Sequence, residues 1–171
     1  MTHTNQSKVP VSSSADVNLK STRVSECSFG GLADDPEFDG LVAEYALESK
    51  IKGMPPINWA REMYESMEGA GIVHCLALRD TEEKLVGFAI LLCTVYPHYS
   101  KLAVTAESLF VTRKYRQGGS GMKLIKQIEA HGKNIGAVGI LLSAPHGGSL
   151  ESVAPRIGYQ QTNSVFFKAV P

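Results

Sequence analysis

Ser108-Leu-Phe-Val-Thr-Arg-Lys-Tyr-Arg116-Gln-Gly118-Gly119-Ser120-Gly121-Met-Lys-Leu-Ile-Lys-Gln-Ile128 is the stretch that decides how this chain is read. It opens as an apolar, β-prone run (Leu109, Phe110, Val111) and turns through the basic residues Arg113 to Arg116. Beyond the glycines, Gly121, Leu124, Ile125 and Ile128 recur at i, i+3, i+4 and i+7, one face of a helix. Between Glu107 and Glu129 stand five basic residues and no acidic one. A strand that passes into a helix through glycines leaves the first helical N–H groups unpaired and unshielded by any Cβ. Those amides, the positive end of the helix dipole and the neighbouring cations make a site for phosphate.

Glycine spacing narrows the ligand. A P-loop ends in Gly-Lys-Ser/Thr, whereas Met122, Lys123 and Leu124 follow Gly121 here. A dinucleotide fingerprint has a third glycine where this chain has Leu124. What remains is Arg116-x-x-Gly119-x-Gly121 directly after a strand. This pattern resembles the coenzyme A pyrophosphate loop of the GNAT superfamily of N-acetyltransferases, Arg/Gln-x-x-Gly-x-Gly/Ala. The resemblance implies acetyl-CoA as cosubstrate. It assigns Arg116, Gln117, Gly118, Gly119, Ser120, Gly121 and Met122 to the pyrophosphate and the backbone of Phe110, Val111 and Thr112 to the pantetheine arm. Arg113, Lys114 and Lys123 are either solvated surface charges or contacts to the outer phosphates.

The order of elements agrees with that family. A strand near Thr22–Ser28 comes first. A helix follows, started by Asp35-Pro36 and carrying Phe38, Leu41, Val42, Tyr45 and Ala46 on one face. A second helix after Pro55-Pro56 has a stripe of Trp59, Met63 and Met67, either core or the roof of an acceptor pocket, and stops at Gly69 and Gly71. The runs 72–78 and 85–96 form an antiparallel hairpin through the polar turn 80–84. The second run is apolar almost throughout, as a central strand covered on both faces would be. Then come a strand over 103–111, the loop, a helix over 120–133, a strand over 138–143, a short helix over 149–156 and a last strand over 165–170. The expected fold is α/β (α+β), a mixed, mostly antiparallel twisted sheet flanked by helices and ending in a short strand region. The likeness spans residues 22–170, and only its loop motif is specific.

Two departures stand out. Arg156-Ile-Gly158-Tyr159 is similar to the family's closing Leu-Gly-Phe, but the tyrosine usual four residues before that glycine is Ala154 here. About a dozen residues follow Gly158, too few for the usual terminal strand pair, so one strand is missing or another copy in a homodimer supplies it. The tail ending in Phe166-Phe-Lys-Ala-Val is similar to phage-encoded members.

The chemistry needs a base for the amine proton and an acid for the departing thiolate. Glu107 is the base candidate, as in the family. Period-2 geometry puts it on the face of Leu109 and Val111, half-buried among apolar neighbours that would raise its pKa. For the acid the candidates are His146, Ser149 and Tyr159; His98 and Tyr99 are turn residues or acceptor lining, Tyr115 packs beside the loop, and His74 is a strand histidine with no ligand partner.

Composition sets the bounds. The 171 residues carry 17 Lys+Arg against 17 Asp+Glu, so no global basic field favours nucleic acid. Bases would also find no interleaved aromatics at 113–126 to stack on. Cys27, Cys75 and Cys93 are odd in number and widely spaced, which fits free thiols in a reducing cytoplasm and offers no short-spaced metal or disulfide pairs. The apolar run 85–95, about eleven residues, is too short to span a bilayer. Residues 1–20, rich in Ser, Thr and Asn, read as a flexible arm before a single domain over 21–171. The function that follows is transfer of acetyl from acetyl-CoA to an amine-bearing acceptor. The alternative is a GNAT-fold binding or structural protein of weak chemistry, for example a phage-encoded inhibitor or particle component.

Overall fold

Alternating and continuous apolar runs pair into one five-stranded sheet, described here from a computed structural model that covers residues 21–170. The arm expected at 1–20 lies outside the described residues. The strands are β1 (Thr22–Cys27), β2 (Val73–Asp80), β3 (Leu85–Tyr96), β4 (Lys101–Val111) and β5 (Ile140–Leu142), in that spatial order. The first four are antiparallel and β5 runs parallel to β4, as the mixed, mostly antiparallel expectation has it. Asp80 closes the β2–β3 turn by accepting from the Glu82 and Lys84 amides at 2.9 and 3.1 Å.

Helices cover both faces. α1 (Phe29–Ala33), α2 (Phe38–Glu48) and α3 (Arg61–Gly69) lie on one, and α4 (Ser120–Asn134) on the other, followed by α5 (Ser149–Val153). β3 is central, and Leu85, Val86, Phe88, Ala89, Ile90 and Leu91 are each at most 1% exposed. A buried Leu, Ile or Phe contributes about 1.5–3 kcal/mol, so this strand is the main apolar anchor of both layers. On one face Phe29, Phe38, Phe88 and Phe110 pack with Trp59 and Tyr45; on the other Leu76, Leu91 and Val104 meet Leu124 and Ile128 of α4. Gly132 lets α4 close on β5, since a Cβ there would run into the Ile140 side chain.

Several expectations need correction. Ser28 caps a helical turn, α1, that buries Phe29 and Leu32 and that a Gly-Gly pair had hidden. Asp35 accepts from the Glu37 amide, one turn ahead of α2, and pairs with Arg79 at 2.7 Å. α3 starts only at Arg61, so Trp59 precedes it in the aromatic core while Met63 is 51% exposed. The strand expected over 138–143 shortens to three residues. The strand expected over 165–170 does not form; Val165 and Phe166 are 89% and 92% exposed. β propensity alone does not hold a strand without a ladder partner, and among the described residues this segment has none.

Candidate active site

Period 2 fails on β4 at Glu107. The β3–β4 register shifts between Ile90 and Leu91, where Ser108 pairs with Ile90 and Ala106 with Leu91, leaving Glu107 as the extra residue of a bulge. The bulge turns its side chain away from Leu109 and Val111. The carboxylate lies instead on the α2–α3 face, 2.6 Å from Ser108 Oγ, which is itself 3.2 Å from Tyr45 Oη. Glu107 is exposed and not half-buried as expected. An ionised carboxylate only accepts, so the single Ser108 proton serves Glu107 and the tyrosine phenol completes the chain. Burial, and then the Glu107 charge, push the Tyr64 phenol up to about 12. The sequence assigns neither Tyr45 nor Ser108 to the site and places Tyr45 on the buried face of a helix.

The same bulge marks where β4 loses a neighbour. β5 pairs with Val104, Thr105 and Ala106 and goes no further. The Thr112 amide donates to the Val86 carbonyl at 3.0 Å, toward β3. By strand alternation, Val111 and Leu109 direct their amides and carbonyls to the open edge. Of Phe110, Val111 and Thr112, Val111 alone faces that edge, with Leu109 beside it. The Phe110 ring is 4% exposed and belongs to the core.

Past β4 the loop adopts the expected shape. Gly118 and Gly119 have φ of 102° and 84°, left-handed values that favour glycine, and Gly119 is the residue from which α4 starts. A Cβ placed on Gly119 or Gly121 would meet nothing within 4 Å, so the surface over the helix start is open. The first amides of α4 have no partner inside the helix, which is what an anionic pyrophosphate needs. Ser120 is buried, its Oγ 3.1 Å from Thr22 Oγ1, so its side chain anchors the helix to β1. Tyr115 packs beside the loop as expected, 7% exposed, with its hydroxyl donating to Asp80 at 2.7 Å.

The basic residues are spoken for in ways the sequence did not disclose. Arg116 donates from Nε to the Val111 carbonyl and from a terminal nitrogen to Glu48, both at 2.7 Å, with its guanidinium 5.4 Å from the Phe110 ring centre. Arg113 meets the same Glu48 at 3.0 Å, and Glu44 accepts from Thr112 Oγ1 at 2.8 Å. Burial works against the Glu48 charge, but the hydrogen bonds from Arg116 and Arg113 outweigh it and hold the carboxyl below its ordinary range. Lys123 gives its ammonium to the Thr22 carbonyl at 2.6 Å, and Lys114 lies over the Tyr115 ring. Glu44 and Glu48 sit at i and i+4 on α2, an acidic pair whose one visible signal was its complementarity to Arg113 and Arg116.

The candidates for the acid are not drawn into this cluster. His146 is on the exposed loop after β5, its side chain 99% exposed and paired with Glu151 at 3.0 Å. The Tyr159 hydroxyl donates to Glu129 of α4 at 3.2 Å, and burial, with that carboxylate, pushes the phenol up from its ordinary value. Neither residue hydrogen-bonds to Glu107 or to the glycine loop.

No family model matches the sequence, and no curated protein matches it either. Solved structures do match its shape. A ribosomal-protein-alanine N-acetyltransferase from Brucella melitensis superposes with a TM-score of 0.69 at 20% identity, over 88% of this chain and 99% of its own. A GNAT family acetyltransferase from Staphylococcus aureus gives 0.66 at 15% identity over 88% and 99%. A glucosamine-6-phosphate N-acetyltransferase from Arabidopsis thaliana gives 0.67 at 12% identity, over the same shares. These similarities lend no support to the phage-encoded membership suggested by the tail. At such identities they speak for architecture, and the chain has the fold of the GNAT acetyltransferases.

Proposed function

We propose that this protein is an acetyl-CoA-dependent N-acetyltransferase acting on an amine-bearing acceptor. The observation that carries the reading is the continuity of three features: an open β4 edge at Leu109 and Val111, two left-handed glycines, and an uncovered helix start at Gly121. An extended pantetheine chain suits the open edge as an added strand would, while pyrophosphate suits the helix amides. Arg116 keeps further guanidinium N–H groups beyond those given to Val111 and Glu48, so it can serve phosphate without leaving them. Acetyl-CoA supplies the thioester. Held beside the amine, such a group gains up to about 7–11 kcal/mol from orientation in the most favourable systems.

Glu107 is the base in this reading. Its carboxylate lies one bulge away from the open edge, is accessible to an incoming amine, and is oriented by Ser108 and Tyr45. It takes the amine proton directly or through one water, and the amine nitrogen then attacks the acetyl carbonyl; the C–S bond breaks and the coenzyme A thiolate leaves, taking a proton from the acid. Tyr159 is the better acid candidate of the two. Its hydroxyl is held on Glu129 of α4. His146, on its exposed loop, is the second.

The coenzyme-binding part is tested by calorimetry and thermal shift with acetyl-CoA and with free CoA. Ligand at 100 times its dissociation constant adds about 2.7 kcal/mol of stability. Turnover is then measured over a panel of small amines, aminoglycosides and peptide N-termini. Tyr159→Phe or His146→Ala should lower the rate and move the alkaline limb of the pH profile, whichever residue donates. Saturable binding with no turnover on any acceptor would favour the binding-protein reading, and no binding at all would remove both.

A further inference from the structure

His74, which had no visible ligand partner in the sequence, acquires three neighbours from other elements. It stands on β2, on the face covered by α4, diagonal to Glu26 of β1 and next in register to Leu91 of β3. Its Nε2 is 3.6 Å from Glu26 Oε1. Its ring stacks on that of His131, from the last turn of α4, with centres 3.7 Å apart. His131 Nε2 is 3.5 Å from Cys93 Sγ on β3. One donor atom each from Glu26, His74 and His131 lies within 4.8 Å of the others. His74 Nε2 is buried and has no hydrogen-bond partner among the described residues, an uncommon and costly state for a ring nitrogen. Beside the cluster opens a cavity of about 370 Å³ lined by His74, Cys93, His131, Leu102 and Glu68.

We propose that Glu26, His74 and His131 form a zinc site that ties the C-terminal end of α4 to strands β1, β2 and β3, with Cys93, whose Sγ lies beside His131 but outside the group of three donors, closing on the ion as fourth ligand when it binds. The donor set, two imidazoles, a carboxylate and a thiol, is that of a borderline-soft tetrahedral ion and not of calcium or magnesium. With bonds of about 2.3 Å to sulfur and 2.0–2.1 Å to nitrogen or oxygen, tetrahedral geometry separates a sulfur and a nitrogen by about 3.5 Å and lighter donors by about 3.3 Å. The Cys93–His131 separation matches the first, and the Glu26–His74 separation is close to the second. The stacked rings must turn apart about χ2, a soft torsion for histidine, to aim both lone pairs at one ion. On binding, the thiol proton leaves to solvent and a Zn–S bond forms. Glu26, on the exposed side, gives the ion its way in. Four ligands on four elements carry no sequence motif, which is why cysteine and histidine spacing suggested no metal. The site is independent of the acyltransfer reading.

Untagged full-length protein, stripped with a chelator, is titrated with Zn²⁺ by calorimetry and with Co²⁺ by absorption. One saturable equivalent is expected, with a raised Tm, tetrahedral cobalt bands in the visible and a thiolate-to-cobalt band in the near ultraviolet. Glu26→Gln, on the surface, should keep its far-UV spectrum and lose at least the about 10–100-fold in affinity that removal of a mere supporting partner costs. His74→Gln with His131→Gln should abolish binding, and Cys93→Ser should remove the near-ultraviolet band and weaken binding. Absence of saturable binding overturns the site, as does unchanged affinity in Glu26→Gln or in the folded double variant. A thiolate band that survives Cys93→Ser overturns the thiol's place in it.

Discussion

β4 is held differently along its two halves. From Leu102 to Ala106 it is flanked on both edges, by β3 and by the β5 segment, with the Val104 and Val138 amides closing the ladder at 3.1 and 2.9 Å. From Glu107 to Val111 it keeps only β3. The first half spends its backbone groups on the sheet. The second leaves those of Leu109 and the Val111 amide off the sheet, the Val111 carbonyl accepting from Arg116, and the chain enters the glycine loop within a few residues. A single bulged residue divides the halves, and that residue is Glu107. The bulge therefore sits where the ladder with β5 stops and brings a carboxylate to that place.

Gly121→Glu tests the open half at its far end and should have the largest effect, loss of acetyl-CoA binding with the fold kept. A Cβ at this position meets no atom of the described residues within 4 Å, so the backbone has room for a side chain. Its charge stands where the pyrophosphate would, over amides that favour a single anion. Calorimetry on the variant, after far-UV spectra show it folded, decides it; wild-type affinity would mean the loop is an ordinary turn.

Glu107→Gln tests the division itself. Turnover should fall about 10²–10⁴-fold with acetyl-CoA affinity unchanged, because the carboxylate faces Ser108 and Tyr45 and not the edge that receives the coenzyme. A variant as fast as wild type at every pH would make the bulge a structural feature only.

Much of the contrast was legible in advance, and what was missed shares a cause. The strands, the hairpin, α2, α4 and the glycine loop all follow from local rules: apolar period, turn residues and left-handed glycines act within a few positions of each other. The Glu107 face was misjudged because a bulge is set by the pairing register with β3, which no window of β4 alone contains. The tail over 165–170 has the composition of a strand, and whether it becomes one depends on a partner edge elsewhere. Glu48 escaped notice because its partners, Arg113 and Arg116, are more than sixty residues away. The helix start at Ser120 was readable, and the Thr22 hydroxyl that holds it was not.

Arg116→Ala should cost about 1.5–3 kcal/mol in coenzyme A affinity, roughly tenfold to a hundredfold, and the loss should shrink with added salt. The structure adds a complication, since Arg116 also binds Val111 on the open edge and packs over Phe110. Pantetheine, which lacks pyrophosphate, separates the two roles. A loss confined to coenzyme A assigns the guanidinium to phosphate, whereas an equal loss for both ligands assigns it to shaping the edge.

The smallest effect should come from Glu48→Gln. Glu48 neutralises Arg113 and Arg116, and its carboxyl is held ionised by them. If phosphate shares these cations, removing the carboxylate leaves the loop one charge more positive and raises coenzyme A affinity. The gain should stay below about tenfold, because Arg113 is 80% exposed and solvent screens most of its charge. Glutamine can still accept one hydrogen bond from Arg116, so the side chain need not swing away. Raising ionic strength should erase the gain while leaving the pantetheine affinity flat. A drop in affinity for both ligands would instead show that α2 positions the open half of β4 through Glu48, and the acidic pair on that helix would then belong to the scaffold of the site and not to its electrostatics.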